Sequence, residues 1–421
     1  MMTSKKTLNQ AYVWIWLPNE TTPIVAGKLE KDGDQLFFAY GKSYLARKNA
    51  IPIYEPELPL QSGTISPLND LMVPSCIRDG APDAWGRRVI INRKMGLKGT
   101  AADAVELDEL TFLLESGSDR IGALDFQASA TEYKPRQSKN ASIEELMHSA
   151  ERVEAGVPLS PELDQAIFHG SSIGGARPKA LIEDDHTKYI AKFSGASDTY
   201  SVVKAEFIAM RLAQLVGLNV APVKLTKAAH KDVLLIKRFD RIQANGGWHR
   251  KPVISALTML GLDEMMARYA SYEELASIIR HRFTDPKNTL RELFSRLVFN
   301  ILCGNTDDHA RNHAAFWDGK MLTLTPAYDI CPQGRAGGEA VQAMRILGEN
   351  KFSQLRVCRD AAHNFLLSKN EATSIFDHQI KTIEQHWLEV CADAELSEVD
   401  RKLFWKRMFL NPFALEGLND G

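Results

Sequence analysis

Cysteine is scarce. The five present, Cys76, Cys303, Cys331, Cys358 and Cys391, never form a C-x-x-C pair. An odd, widely spaced set excludes a disulfide scaffold and a cysteine zinc site, and reads as free thiols in a reducing compartment. No apolar run approaches the roughly 18 residues that a membrane helix needs. The apolar stretch 11–17 follows two lysines, yet Pro18-Asn19-Glu20 supplies no small-residue cleavage site, so the stretch reads as a strand. Neither sign of charge dominates: 51 Lys and Arg stand against 53 Asp and Glu, a net charge of −2. That balance excludes a bulk field that would drive binding to nucleic acid or acidic membranes. Repeats and low-complexity tracts are absent. The expectation is a cytoplasmic protein that does not engage membranes.

What is present is ordinary globular sequence, 44 % hydrophobic and 25 % charged over 421 residues. That length is about three times a typical domain of roughly 150 residues, so two or three units are expected. Up to about residue 60 the segments AYVWIWL, IVAGKLE, QLFFAYG and SYLAR, separated by turn clusters, predict a meander of short strands. Residues 83–95 and 106–115 read as helices. The polar stretch 131–140 contains Pro135, lacks apolar periodicity and is the best candidate for a linker. Beyond it, ALI and YIAKF read as strands. Val202, Ala205, Ile208, Leu212 and Leu215 fall at helical spacing before Gly217, and VLLIKRFD reads as another strand. From about residue 253 the chain is mostly helical. The predicted units are 1–130, 131–245 and 246–421.

Four local features carry chemistry. Ser171-Ser172-Ile173-Gly174-Gly175-Ala176-Arg177-Pro178-Lys179 places adjacent glycines before a strand, where backbone N–H groups can meet a phosphate and Lys179 can add charge. It is not a Walker A loop, and a simple Gly-Gly hairpin would look the same. Lys192 sits among alternating apolar residues of a strand, and Glu206, fourteen residues on, lies on the next helix. Protein kinases hold ATP phosphates with such a lysine and glutamate, although a solvated strand lysine is the plainer account.

The third feature, Gly304-Asn305-Thr306-Asp307-Asp308-His309-Ala310-Arg311-Asn312-His313, follows a helix and sets Asp307 and Asn312 at D-x-x-x-x-N. In kinases the aspartate at this spacing accepts the hydroxyl proton and the asparagine binds Mg²⁺. Asp308 is out of register for that pair. A capped turn is the structural alternative. A metal site through His309 and His313 would lack a third ligand. The fourth is Asp329 in Pro326-Ala327-Tyr328-Asp329-Ile330, after a predicted hairpin with a turn at Asp318-Gly319. Kinases present a Mg²⁺-binding carboxylate in this position, and an aspartate paired with an arginine is the alternative. Each feature is weak alone, and their conjunction in this order is not.

These residues resemble the HipA family of bacterial serine/threonine kinases, the toxins of HipA–HipB toxin–antitoxin systems. The resemblance extends to DGAPDAWGRR, ELTFLLESGSDRIGALDF, SSIGGARPKA, KRFDR, GNTDDHARN and PAYDI. It implies an α+β fold of protein-kinase-like two-lobe form, with a small β-rich amino-terminal domain and a mostly helical carboxy-terminal lobe. It also implies an ATP- and Mg²⁺-dependent kinase. By motif, Asp307 is the catalytic aspartate, Asn312 and Asp329 are the Mg²⁺ ligands, and Glu206 pairs with Lys192. Nucleotide contacts fall to Gly174, Gly175, Ala176, Lys179, Lys192, His309 and Arg311, with Lys237 and Phe239 in the hinge that meets adenine. Ser172, or its neighbour Ser171, stands where the family is autophosphorylated. A dianion there would repel a bound phosphate.

The implied substrate is a protein, with an aminoacyl-tRNA synthetase as the leading candidate. The implied partner is a HipB-like helix-turn-helix antitoxin, through which DNA would be contacted indirectly. The loop ends Ala-Arg-Pro-Lys where well-known members have Ala-Gln-Glu-Lys, and Asp308 and Asn305 replace commoner residues. A lipid or small-molecule kinase and a non-catalytic pseudokinase partner of a repressor are the alternatives.

Overall fold

The computed structural model describes residues 9–95, 107–136, 142–154, 177–184, 186–195, 198–334 and 337–418. Strands β1 (Gln10–Ile15), β2 (Ile24–Asp32) and β3 (Gln35–Tyr40) join β4 (Thr64–Ile65) and β5 (Leu124–Gln127) in an antiparallel sheet of order β4-β3-β2-β1-β5. Strict alternation in β3 buries Leu36, Phe38 and Tyr40 on one face. Two expectations fail here. SYLAR was expected to be a strand but forms a helical turn, Lys42–Leu45, because Tyr44 stacks on Tyr40 and its hydroxyl donates to the Ile51 carbonyl at 2.7 Å. Residues 131–136, the described part of the stretch 131–140 expected as a linker, are anchored to the sheet by two of their side chains. The Tyr133 ring lies 5.3 Å from Trp14, and Arg136 pairs with buried Asp125 at 2.8 Å. One aromatic and one arginine anchor the segment without any periodicity.

A second antiparallel sheet, β6-β7-β9-β8, comprises β6 (Lys179–Glu183), β7 (Lys188–Phe193), β8 (Val223–Ala228) and β9 (Lys231–Lys237). Alternation gives it two apolar faces. Leu234 and Ile236 meet the helix Val202–Leu215, whereas Val233 and Leu235 join Ala191 and Phe193 against the helices Ala84–Met95 and Ile143–Glu154. One of those helices belongs to the amino-terminal unit, so the two sheets are packed as neighbours. Lys192 pairs in register with Lys179 and Leu234 and therefore shares the face of the Val202–Leu215 helix.

Beyond a hairpin of β10 (Arg241–Ala244) and β11 (Gly247–Arg250), a small sheet orders β12 (Val253–Ser255), β13 (Ala314–Trp317) and β14 (Leu322–Leu324) as β12-β13-β14. Helices fill the remainder. The central one, Pro286–Cys303, is capped by Asp285, carries proline in its first turn and buries Leu290, Leu293, Phe294, Leu297, Val298 and Ile301. Each such burial contributes about 1.5–3 kcal/mol. The helix ends at Gly304 in the left-handed conformation (φ +73°), which delivers the chain into the loop bearing Asp307. Among the described residues, no helix is long and apolar enough to cross a membrane.

Candidate active site

Three elements far apart in sequence converge on one ammonium group. Lys192, on β7, donates to Glu206 Oε1 at 2.7 Å and to Asp329 Oδ1, a residue 137 positions away. Glu206 is presented by the Val202–Leu215 helix and is buried. Asp329 follows the β13–β14 hairpin with φ +58°, a conformation that turns its side chain out of the strand path. The pairing explains the protonation states. Burial works against the ionised Asp329 carboxyl, but Lys192, Lys179 and His309 hold it down to about 2. The same two carboxylates keep Lys192 charged against its own burial. Burial and the nearby Asp329 charge push Glu206 upward, partly offset by Lys192. One cation thus serves two carboxylates, and the ionised form is favoured at Asp329 and disfavoured at the more buried Glu206. Because Asp329 is depressed, its contribution to stability is present above pH about 4 and is lost as pH falls towards 2.

Asp307 lies on the loop after Gly304. Burial raises its carboxyl; His309 opposes the shift, while Asp329 and Asp308 add to it. The loop is held by its own polar groups. The Asn312 side-chain amide donates to the Asp307 carbonyl at 3.2 Å, and the His309 backbone N–H reaches the same carbonyl at 2.9 Å. That leaves the Asn312 amide oxygen as its acceptor for a hard cation. Asp308 is buried, accepts from the Tyr272 hydroxyl and pairs with His313 at 3.0 Å. Its place is structural, and it takes up the His313 Nε2. Among the described residues no group of three His, Cys, Asp or Glu is arranged to hold a metal ion. An oxygen set of one carboxylate and one amide suits Mg²⁺, which completes its shell with water and phosphate.

The structure also places the other predicted residues. Lys179 is buried at the start of β6, and Arg311 is ion-paired with Glu264. Lys237 is exposed at the end of β9, whereas the half-buried Phe239 ring lies 5.5 Å from that of Tyr328, adjacent to Asp329. Lys237, Arg238 and Phe239 line a hollow of about 280 Å³ together with Lys188, Arg241 and Trp248, and none of Lys192, Asp307 or Asp329 lines it. Ser171, Ser172, Gly174, Gly175 and Ala176 lie outside the described residues.

Sequence reasoning missed Asp83, within the quoted DGAPDAWGRR motif. Its carboxylate reaches from the amino-terminal unit to 3.8 Å from Lys179 Nζ, with the backbone N–H groups of Trp85 and Gly86 beside it. Burial, only partly offset by Lys179, raises it to about 6. The folded protein therefore penalises the ionised form, and that cost grows as pH rises from about 4 to about 6. Asp83→Asn is expected to raise stability by on the order of 2 kcal/mol at pH 7.5, with the gain vanishing near pH 4. Paired denaturant titrations at the two pH values would check this, and an equal shift at both would refute it. Carboxylates with raised pKa beside a buried cation concentrate at functional sites.

Comparison with known proteins fits this geometry. A family model described as the HipA-like C-terminal domain matches residues 171–387, slightly more than half of the chain, and a second, the HipA N-terminal domain, matches residues 16–127. The chain belongs to the HipA family. Among curated proteins it is similar to the serine/threonine-protein kinase toxin HipA of Shewanella oneidensis, 25 % identical over 243 residues, covering 51 % of this chain and 54 % of that one. It is also similar to a putative kinase of Sinorhizobium fredii, 29 % identical over 147 residues, 34 % of this chain and 33 % of the relative. The chain spans between a third and about half the length of these curated relatives. Among solved structures it resembles the Shewanella oneidensis HipA, HipB and operator DNA complex with a TM-score of 0.69 at 21 % identity, covering 93 % of both chains. The fold is the kinase-like two-lobe arrangement with a β-rich amino-terminal domain.

Proposed function

We propose that this HipA-family chain is an ATP- and Mg²⁺-dependent protein kinase acting on a serine or threonine hydroxyl, and that it serves as the toxin of a type II toxin–antitoxin pair. The observation that carries this reading is Lys192 bridging Glu206 and Asp329 beside the Asp307 loop. A lysine held between a helix glutamate and a hairpin aspartate is the arrangement that places ATP phosphates in kinases. In this reading Lys192 and Lys179 neutralise phosphate oxygens, and Phe239 with Tyr328 forms the wall on which adenine rests. Asn312 and Asp329 would hold Mg²⁺, which when bound neutralises charge on the transferring phosphate. Asp307 takes the proton of the attacking hydroxyl as its oxygen bonds to the γ-phosphorus and the bond to the β-phosphate oxygen breaks, yielding a phosphoprotein and ADP. Its raised basicity suits that task.

The similarity to curated kinases and to a toxin named HipA supports the toxin role, and the proposed target is a translation component such as an aminoacyl-tRNA synthetase. The solved neighbour is a complex with HipB and operator DNA, which supports a HipB-like antitoxin that carries any DNA contact. Ser172 is the proposed autophosphorylation site.

The test is incorporation of γ-labelled phosphate from Mg·ATP into the purified chain, mapped by mass spectrometry together with the prior state of Ser171 and Ser172. Label on either serine is expected. A protein with both serines unmodified that takes no label and binds no ATP would move the assignment to a non-catalytic partner of a repressor.

A further inference from the structure

The hinge residues point two ways. Phe239 faces Tyr328, whereas the side chain of its neighbour Arg238 is buried against the amino-terminal domain. There Arg238 donates to the carbonyls of Asp119 (3.0 Å) and Arg120 (2.7 Å) and ion-pairs with the Asp119 carboxylate at 3.1 Å. Arg241 places two nitrogens on that same carboxylate at 3.0 and 2.9 Å and a third on the Gly122 carbonyl at 2.9 Å. Lys188, four residues before Lys192 on β7, adds a contact of 2.7 Å to Asp119. Asp240 completes the cluster, accepting the Gly122 N–H at 2.8 Å as well as Arg238 and Arg241. From β11, Arg250 donates to the Ser118 carbonyl at 2.9 Å.

The loop 118–122 is itself fastened to its own domain, since Arg120 spans Asp125 at 2.9 Å and the Gly80 carbonyl at 2.8 Å. Charge-assisted bonds of this kind are the strong ones, and multidentate arginine fixes geometry as well as energy. Displacing the loop must therefore break several buried ionic contacts or carry the backbone of 238–241 with it.

We propose that Asp119 is a positioning residue of the nucleotide site: through Arg238, Arg241 and Lys188 it fixes the hinge from behind, so that the amino-terminal domain sets the affinity for ATP. The proposal rests on the nucleotide reading above. It makes the domain a lever. A ligand that shifts loop 118–122 changes nucleotide affinity without entering the cleft.

The experiment compares the wild type with Asp119→Asn and Lys188→Met on the full chain. It measures the Kd for a fluorescent ATP analogue, transfer at saturating ATP, and amide hydrogen exchange of peptides covering 237–241. Asp119→Asn is expected to weaken nucleotide binding about tenfold and Lys188→Met about threefold. The maximal rate should stay within about twofold of wild type, with hinge amides exchanging faster in both variants. Unchanged Kd and exchange in a folded variant would overturn the proposal, as would a fall in maximal rate with Kd unchanged. If Asp119→Asn does not fold, Lys188→Met decides on the same criteria. If the wild type binds no nucleotide, the kinase reading fails, and hinge exchange alone then judges the brace.

Discussion

Asp307→Ala should lower phosphoryl transfer by about 10³-fold while leaving ATP affinity within about threefold. The side chain is on the loop and not among the groups that hold phosphate, so its loss removes the proton acceptor and little else. The pH dependence should follow its raised carboxyl. The rate should fall on the acid side at a pH above the ordinary aspartate range, because burial and the charges of Asp329 and Asp308 disfavour the ionised base. Single-turnover rates against pH, with ATP binding measured in parallel, would check both statements. A variant that still transfers within tenfold of wild type would remove Asp307 from the chemistry.

Lys192→Met should abolish transfer and also destabilise the fold, by about 3–5 kcal/mol, because Glu206 would be left as a buried, unpaired charge. The two effects are separable. Adding Glu206→Gln neutralises the stranded carboxylate, so the double variant should recover most of the lost stability and none of the activity. Urea unfolding and phosphate incorporation on the wild type, both single variants and the double variant would test this as a cycle. Recovery of activity in the double variant would contradict a phosphate-binding role for Lys192. Additive losses of stability would show that the two side chains do not act as a pair.

The parts of the site that were legible in the sequence are those whose geometry is local. A lysine within an alternating strand and a glutamate on the following helix have few ways to be arranged, and a loop after a glycine-capped helix has a defined start. Asp83, Asp119 and Glu264 left no such trace. Each acts on a residue brought near only by tertiary packing, and an aspartate in a turn looks the same whether it caps a helix or meets a buried arginine. KRFDR shows the limit most clearly. The resemblance suggested a hinge there, but that Arg238 and Arg241 are buried against the loop 118–122 depends on residues more than a hundred positions earlier. SYLAR had strand-like composition, and the stacking and hydroxyl bonds of Tyr44 decided otherwise.

A β-carbon added at Gly304 would lie 2.7 Å from the Met408 carbonyl oxygen, and Leu410 N–H bonds to the Leu302 carbonyl at 2.7 Å. The turn that launches the Asp307 loop is therefore cast against a segment a hundred residues further on. For divergence within the family, this splits the loop into two kinds of position. Asn305 and Asp308 can change with their neighbours, since side chains can co-vary. Residue 304 has no such freedom, because what blocks it is backbone. Side chains around this loop can therefore be exchanged while the backbone that carries Asp307 keeps its course.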